Sequence, residues 1–415
     1  MPPRVRVVGG GYQKRASLRL AMAGALDGIR VVDQTQVMAG PFASMLLADM
    51  GADVIKVEPP EGEHARHVGL EIAPGVGASF FAVNRGKKGM TLDLKQPDGV
   101  AVLKRLVATA DVLVENYRPG VAARLGVDYD TLAAVNRRLI YCSVSGFGQT
   151  GPYASRGGYD LIAQGMAGIM SATGSDGGPP VKVGVPIADL GAGLFALLGI
   201  LAALRARRIT GRGQRVDTSL YEAALALSAW EATEYWYTGE IPKRLGTAHR
   251  LNAPYQAFRA SDGYFTVGAA NPKLWPMFAG LIGRPELTQD PRFKGVGDRV
   301  KHRPALEKEI EIATSRETRA HWLAKCEAAG IPAGPIYNIP EAQADPQAQA
   351  RGMVQELVHP QAGRVKALGN PVKLSRSPAT LHAAAPLLGA DTDAVLGGLG
   401  YAASDIASLR AKKVV

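Results

Sequence analysis

Short apolar runs and helix-spaced apolar positions alternate along the first half of the chain. Gly28 to Val32 (GIRVV) is short and apolar, as a strand covered on both faces should be, and Asp33 closes it. Phe42 to Met50 has helical spacing and breaks at Gly51; Ala52 to Glu58 (ADVIKVE) is a second buried strand. This β-α-β order predicts a parallel sheet with right-handed crossovers. Met90–Leu94, Val112–Glu115 and Leu139–Val144 read as further strands, with a helix over Gly99–Ala108. A Pro-containing apolar run, Val181 to Ala188, leads into a long helix pattern through Leu204, and another helix is predicted from Ser219 to about Tyr237.

The pattern then changes. Gly246 to Ala270 has β character with a hairpin signal at Ser261–Gly263. Helical spacing follows to about Gly330, and Ile331 to Pro386 is rich in Pro and Gly with short strands, as an extended connector would be. Gly389 to Ala411 is largely helical, with a turn at Gly397–Tyr401. The cluster Arg205, Arg207, Arg208, Arg212 and Arg215, interrupted by Gly211 and Gly213, reads as a solvated turn.

A length of 415 residues suggests two or three domains, and 47% hydrophobic with 20% charged residues describes an ordinary soluble protein. No apolar run reaches a membrane span without a charge or a breaker; Leu190–Leu204 is the longest. Of the net charge of +11, five positives (Arg4, Arg6, Lys14, Arg15, Arg19) precede the first acid, Asp27. That head reads as a loose extension, with a transit peptide or a nucleic-acid arm as alternatives; without an apolar core and cleavage site it is no secretion signal. The glycine triplet Gly9–Gly11 carries no further meaning. Aromatics at 6%, not interleaved with basic residues, argue against a nucleic-acid surface. Cys142 and Cys326 are far apart and suggest a reducing compartment. No histidines stand at i, i+4, so no metal site is expected.

Candidate chemistry concentrates between Gly157 and Leu204, where Asp160 and Asp189 stand among small and apolar residues. Asp189, at the start of the long helix pattern, is either its N-cap or a carboxylate poised for chemistry. ENYRPG, Glu115–Gly120, lies at the carboxyl end of a predicted parallel strand, where open sheets place ligands; the alternative is a solvated turn capped by Asn116. VMAGP, Val37–Pro41, opens the first helix and could receive a phosphate or a thioester. The absence of GxGxxG after the first strand argues against a nicotinamide cofactor.

In order and spacing, LDGIRVVDQTQVMAGPFASMLLADMGADVIKVEPP, VNRGKKGMTLDLK, DVLVENYRPG, GFGQTGPY, GYDLIAQ, TGRGQRVDTSLYEA and APLLGADTDAVL resemble the class III coenzyme A-transferases, the CaiB/BaiF or formyl-CoA transferase-like family. The resemblance runs from about Leu26 to the C-terminus. RLGTAHRLNAPYQAF and GYFTVGAAN look most like its succinyl-CoA:glutarate (dicarboxylate) branch. It implies an α/β fold: a Rossmann-like large domain with a parallel sheet, a smaller α+β domain, long linkers and an interlocked homodimer. The expected boundaries are a basic extension 1–26, a CoA-binding domain 27–204 completed by 387–415, a helical linker 205–237, a small domain 238–330 and a return linker 331–386.

By this resemblance Asp189 is the catalytic nucleophile, acylated by the donor and then converted to an aspartyl-CoA thioester. Coenzyme A is a substrate, expected to touch Val37, Met38, Ala39, Leu92, Asp93, Lys95, Asn116, Tyr117, Arg118, Arg124, Gly157, Gly158, Tyr159 and Asp160. Gly246 and His249 are expected to line the acceptor pocket, and Arg66 to receive a distal carboxylate. No metal and no nicotinamide is expected, and the partners are acyl-CoA, carboxylic acids and a second copy of the chain, with neither nucleic acid nor membrane. Two departures stand out: Pro59 replaces an arginine that some members carry, and Arg244–His249 (RLGTAH) replaces the glycine-run loop of the formyl-CoA branch. The α-methylacyl-CoA racemases are the rival reading. They use a histidine in GHD where this chain has Tyr159, and a tyrosine with an ordinary pKa of about 10 is a poor base at neutral pH. A non-catalytic CoA- or nucleic-acid-binding protein is the remaining alternative. The expected location is cytoplasmic, or the mitochondrial matrix if the head is a transit peptide.

Overall fold

The computed structural model describes residues 24–415, so the basic head through Arg19 and the glycine triplet lie outside the described residues. Residues 24–160, 188–223 and 352–415 form one compact unit; 161–187 and 224–351 form a second.

The first unit is built on six parallel strands: β1 (Arg30–Gln34), β2 (Asp53–Glu58), β5 (Lys88–Thr91), β6 (Val112–Glu115), β7 (Ile140–Ser145) and β8 (Arg215–Ser219), with β3 (Glu71–Ala73) and β4 (Val76–Gly77) forming a small antiparallel pair beside them. The order is β5-β2-β1-β6-β7-β8. The chain therefore works outward from β1 in one direction through β2 and β5, then returns to place β6, β7 and β8 on the other side. Between β1 and β6 the direction reverses, and the connections leaving their carboxyl ends diverge into a crevice.

Helix α1 (Ala39–Asp49) follows β1, α2 (Ala78–Asn84) precedes β5, and α3 (Pro97–Val107) follows it. Short helices α4 (Val121–Leu125) and α5 (Tyr129–Val135) lie between β6 and β7. One face of the sheet is closed by α3, α5 and the last two helices, Thr392–Gly398 and Ala403–Ala411, through Val32, Met90, Leu113, Leu103, Leu396, Leu409 and Val414.

Helices α6 (Asp160–Met166) and α7 (Ile169–Ala172) precede α8, which spans Ile187–Thr210. By length and composition alone α8 could cross a membrane, but its Ala188, Ala192, Ala196, Ile200 and Ala203 side is buried in protein. It runs past the predicted end at Leu204, so Arg205, Arg207 and Arg208 are helical and not part of a solvated turn. Arg207 is buried and pairs with Asp111 at 2.7 Å, which accounts for a cation in that last turn. Strand β8 went unpredicted, because an edge strand reading Arg-Val-Asp-Thr-Ser exposes its polar positions.

The single helix expected over Ser219–Tyr237 is two, α9 (Leu220–Leu227) and α10 (Ala229–Thr238), parted at Ser228. In the second unit the hairpin signal at Ser261–Gly263 joins β9 (Tyr255–Ala260) to β10 (Gly263–Gly268), and β11 (Ala333–Pro335) completes a three-stranded antiparallel sheet. Helices Leu274–Leu281, Arg303–Thr314 and Arg319–Ala328 enclose its core around Phe258, Phe265, Phe278 and Phe293. The stretch expected to be an extended connector with short strands carries β11 and an antiparallel hairpin of β12 (Val354–His359) and β13 (Gly363–Leu368), and adds two short helices, Ile339–Ala344 and Pro346–Ala350.

Candidate active site

The crevice at the sheet's reversal point is a cleft of about 320 Å3 walled entirely by the first unit. Its lining includes Val37, Met38 and Ala39 from the β1–α1 turn, Asn116, Tyr117 and Arg118 after β6, Gly157, Gly158 and Tyr159 before α6, and Asp189. A neighbouring hollow of about 310 Å3 is lined by Leu92, Asp93 and Lys95 after β5 and shares Gln36 and Tyr117 with the cleft.

Asp189 is the third residue of α8 and stands within its first turn. The capping role belongs to Asp160, whose Oδ1 accepts a hydrogen bond from the Ala188 N–H at 2.8 Å. Asp189 therefore does not cap its own helix, and among the described residues its carboxylate accepts no hydrogen bond. Burial raises its pKa from 3.8 to about 7, and the Asp160 carboxylate adds to the rise. A carboxylate without partners, partly shielded from water and less acidic than usual, is a competent nucleophile near neutral pH.

Three close approaches involving glycine shape the cleft. A Cβ on Gly193, one helical turn beyond Asp189, would lie 2.7 Å from the Ala39 carbonyl oxygen, so α8 reaches the mouth of α1 only because that position is bare. Gly146 and Gly158 meet backbone to backbone; a Cβ on Gly146 would fall 2.6 Å from the Gly158 Cα, and one on Gly158 would fall 2.5 Å from the Gly146 Cα. Gly157 lies against the Arg118 guanidinium, at 3.1 Å from its own would-be Cβ. Among the described residues, the N–H groups of Ala39 and Gly40 in the first turn of α1 have no hydrogen-bond partner in the protein, and Pro41 has none to offer.

The predicted contacts distribute unevenly. Val37, Met38, Ala39, Asn116, Tyr117, Arg118, Gly157, Gly158 and Tyr159 meet around Asp189 in one cleft, while Leu92, Asp93 and Lys95 line the adjoining hollow. Arg124 lines neither space; it is exposed on α4 beside Gly120. Asp160 is not among the residues lining the cleft and acts as the cap described above. Arg66 requires correction. Its guanidinium is buried, donates to both Glu58 carboxylate oxygens at 2.7 Å and lies 3.7 Å over the Phe80 ring, so it has no free fork for a substrate carboxylate. Gly246 and His249 belong to the second unit. Gly246 takes a left-handed φ of 59° and donates to the Gly174 carbonyl, while His249 lies edge-on to Trp230 and Tyr255 and accepts from the Leu251 N–H through Nδ1.

Sequence reasoning missed Glu63, which accepts from the Val37 N–H at 2.7 Å, and Arg156, Ser145 and Gly146 in the cleft wall. Of these only Gly146, in SGFG, carried a signal, as a glycine in a turn after a strand. No group of three or more His, Cys, Asp or Glu able to hold a metal occurs among the described residues.

Residues 26–392 match the family described as CoA-transferase family III. The chain is 39% identical to the succinyl-CoA:glutarate CoA-transferase of Mus musculus, over 89% of this chain and 85% of that protein. It is 43% identical to the acetyl-CoA:oxalate CoA-transferase of Acetobacter aceti, over 85% and 90% respectively. Among solved structures, a CaiB/BaiF family protein from Brucella suis superposes with a TM-score of 0.82 at 40% identity, covering 91% of this chain and 99% of that one.

Proposed function

The chain belongs to CoA-transferase family III, and from that premise we propose that it moves CoA from succinyl-CoA to a dicarboxylic acid by acylation of Asp189. The observation that carries this reading is the unpartnered Asp189 carboxylate in the first turn of α8, which lines one cleft together with Ala39, whose N–H at the start of α1 is free.

An Asp189 oxygen attacks the thioester carbonyl carbon; the C–S bond breaks, CoA leaves as thiolate and a mixed anhydride remains. The thiolate then attacks the Asp189 acyl carbon, expels the donor carboxylate and forms an aspartyl-CoA thioester. The acceptor carboxylate attacks that carbon and again releases thiolate, which attacks the acceptor's acyl carbon and frees Asp189. Each tetrahedral stage places negative charge on an oxygen, which backbone N–H groups at a helix start can stabilise. Lys95 and Arg118, both exposed, supply positive charge for the phosphates of CoA.

Dicarboxylate acceptors are supported by the relatives, which include enzymes for glutarate, oxalate and D-citramalate. A homodimer with interlocked chains is part of the same proposal; exposed Trp230, Trp236 and Tyr237 on α10 and Leu194 and Leu198 on α8 are apolar surfaces for a second copy.

The test is a panel of carboxylic acids incubated with succinyl-CoA, read by mass spectrometry for new thioesters, with hydroxylamine trapping during turnover. New thioesters and a hydroxamate at Asp189 are expected. Equal exchange by wild type and Asp189→Ala would end the mechanism, and deuterium exchange at the acyl α-carbon would turn the reading toward a racemase.

A further inference from the structure

Four backbone polar groups of the turn between β1 and α1 are gripped by side chains from elsewhere in the first unit. Asn116 accepts from the Gln36 N–H at 2.8 Å and donates to the Gln36 carbonyl at 2.7 Å. Lys56 donates to the Thr35 carbonyl, and Glu63 Oε2 accepts from the Val37 N–H at 2.7 Å. Lys56 and Glu63 are themselves paired at 2.6 Å, with neither side chain more than 1% exposed. Glu63 is anchored in turn, its own N–H donating to Glu58, the partner of Arg66.

The residue so gripped is Val37, with φ of 68°. A β-branched residue in the left-handed region is disfavoured sterically, and such backbone persists only where the surroundings over-determine it. Val37 immediately precedes Met38 and Ala39, so its conformation decides where the first free N–H groups of α1 stand in the cleft shared with Asp189.

We propose that Glu63 is a positioning residue for acyl transfer: by accepting from the Val37 N–H it holds the left-handed turn that aims the opening N–H groups of α1 at the carbonyl oxygen under attack. The idea rests on Asp189 being the nucleophile. The Glu63 side chain is only 1% exposed, at the back of the hollow that Leu92, Asp93 and Lys95 also line, and it acts through the Val37 N–H. Without it Val37 relaxes toward negative φ, while the hollow at Leu92, Asp93 and Lys95 still offers its contacts to the distal part of CoA. The loss should therefore fall on the chemical step and spare binding.

The test compares Glu63→Ala with Glu63→Ala/Val37→Asn, since asparagine tolerates the left-handed region without a clamp. Glu63→Ala should lower kcat roughly tenfold to a hundredfold while KM for succinyl-CoA moves less than about threefold. The added Val37→Asn should restore kcat by about fivefold or more. Losses of kcat and affinity in parallel, or no recovery in a natively folded double variant, would overturn the proposal. Should Glu63→Ala fail to fold, two charge-neutral pairs of similar volume replace it: Lys56→Met/Glu63→Gln, which keeps the acceptor, and Lys56→Met/Glu63→Leu, which lacks it. The first should turn over about tenfold faster than the second, and equal rates would overturn the role of Glu63. Acylation of Asp189 in wild type, followed in the same assay, separates the two ideas. Its absence defeats the nucleophile, whereas an acylated wild type with indistinguishable variants defeats only Glu63.

Discussion

Replacing Asp189 with asparagine should abolish exchange and at the same time make the protein more stable above neutral pH. The reasoning is one of linkage. Burial and the Asp160 charge raise the Asp189 carboxyl from 3.8 to about 7. Between roughly pH 4 and 7 the folded chain therefore holds a proton that the unfolded chain has released, and stability falls as pH climbs through that window. Below it both states are protonated, and above it both are ionised with the full cost in place. At about 1.4 kcal/mol per pH unit the ceiling is about 4 kcal/mol. Water at the rim of the cleft screens the charge, so about 1–2 kcal/mol is the expected gain for Asp189→Asn at pH 8. Asparagine keeps the shape and never ionises. The assay is urea unfolding of both proteins at fixed concentration from pH 4 to pH 8. The curves should coincide at the acid end and separate as pH rises. A variant that is less stable at pH 8, or a difference that does not grow with pH, would refute a buried, like-charge environment at this position.

The same shift predicts an acid limb in kcat/KM centred near pH 7, falling about tenfold per pH unit below it because only the carboxylate attacks. Asp160→Asn retains a capping oxygen for Ala188 but removes the charge, so the limb should move to lower pH while staying above the ordinary carboxylate range, burial being the larger cause. Gly146→Ala should lower both CoA affinity and stability, by about 2 kcal/mol or more, because its methyl meets the Gly158 backbone; Gly184→Ala, with nothing within 4 Å, should be neutral by calorimetry. Arg66→Ala should destabilise by about 3–5 kcal/mol by stranding Glu58, with the KM values for several dicarboxylates changing together or not at all.

Much of the sheet could be read directly from the chain because its inner strands are covered on both faces. Val112–Glu115 is a four-residue apolar run ending in an acid, and it forms a strand over those same residues. Where burial is one-sided the pattern weakens, as in β8, and where a cation is buried by a distant partner it misleads, as at Arg207 with Asp111. The site divides along similar lines. Motif order pointed to the turns around Val37, Asn116 and Tyr159, since each follows or precedes a recognisable element. Arg66 read as a free cation because its partner Glu58, at the end of a strand, is brought to it only by the intervening turn. Glu63 was invisible for a related reason: it acts on a backbone N–H, and a backbone group leaves no residue-type signal. Which of two neighbouring acids caps α8 likewise could not be read from spacing, since Asp160 reaches Ala188 across 28 residues of chain.

The bare position at Gly193 has a consequence for anyone reshaping this enzyme. Helix α8 touches the opening of α1 at an atom-to-atom distance that leaves no room for even a methyl group. A side chain at this position would wedge the helix carrying the acid away from the helix that offers the amides. Libraries aimed at new acids should inherit residues 39, 42, 189 and 193 as a set, and leave Val37, Glu63, Gly146 and Gly158 untouched as well.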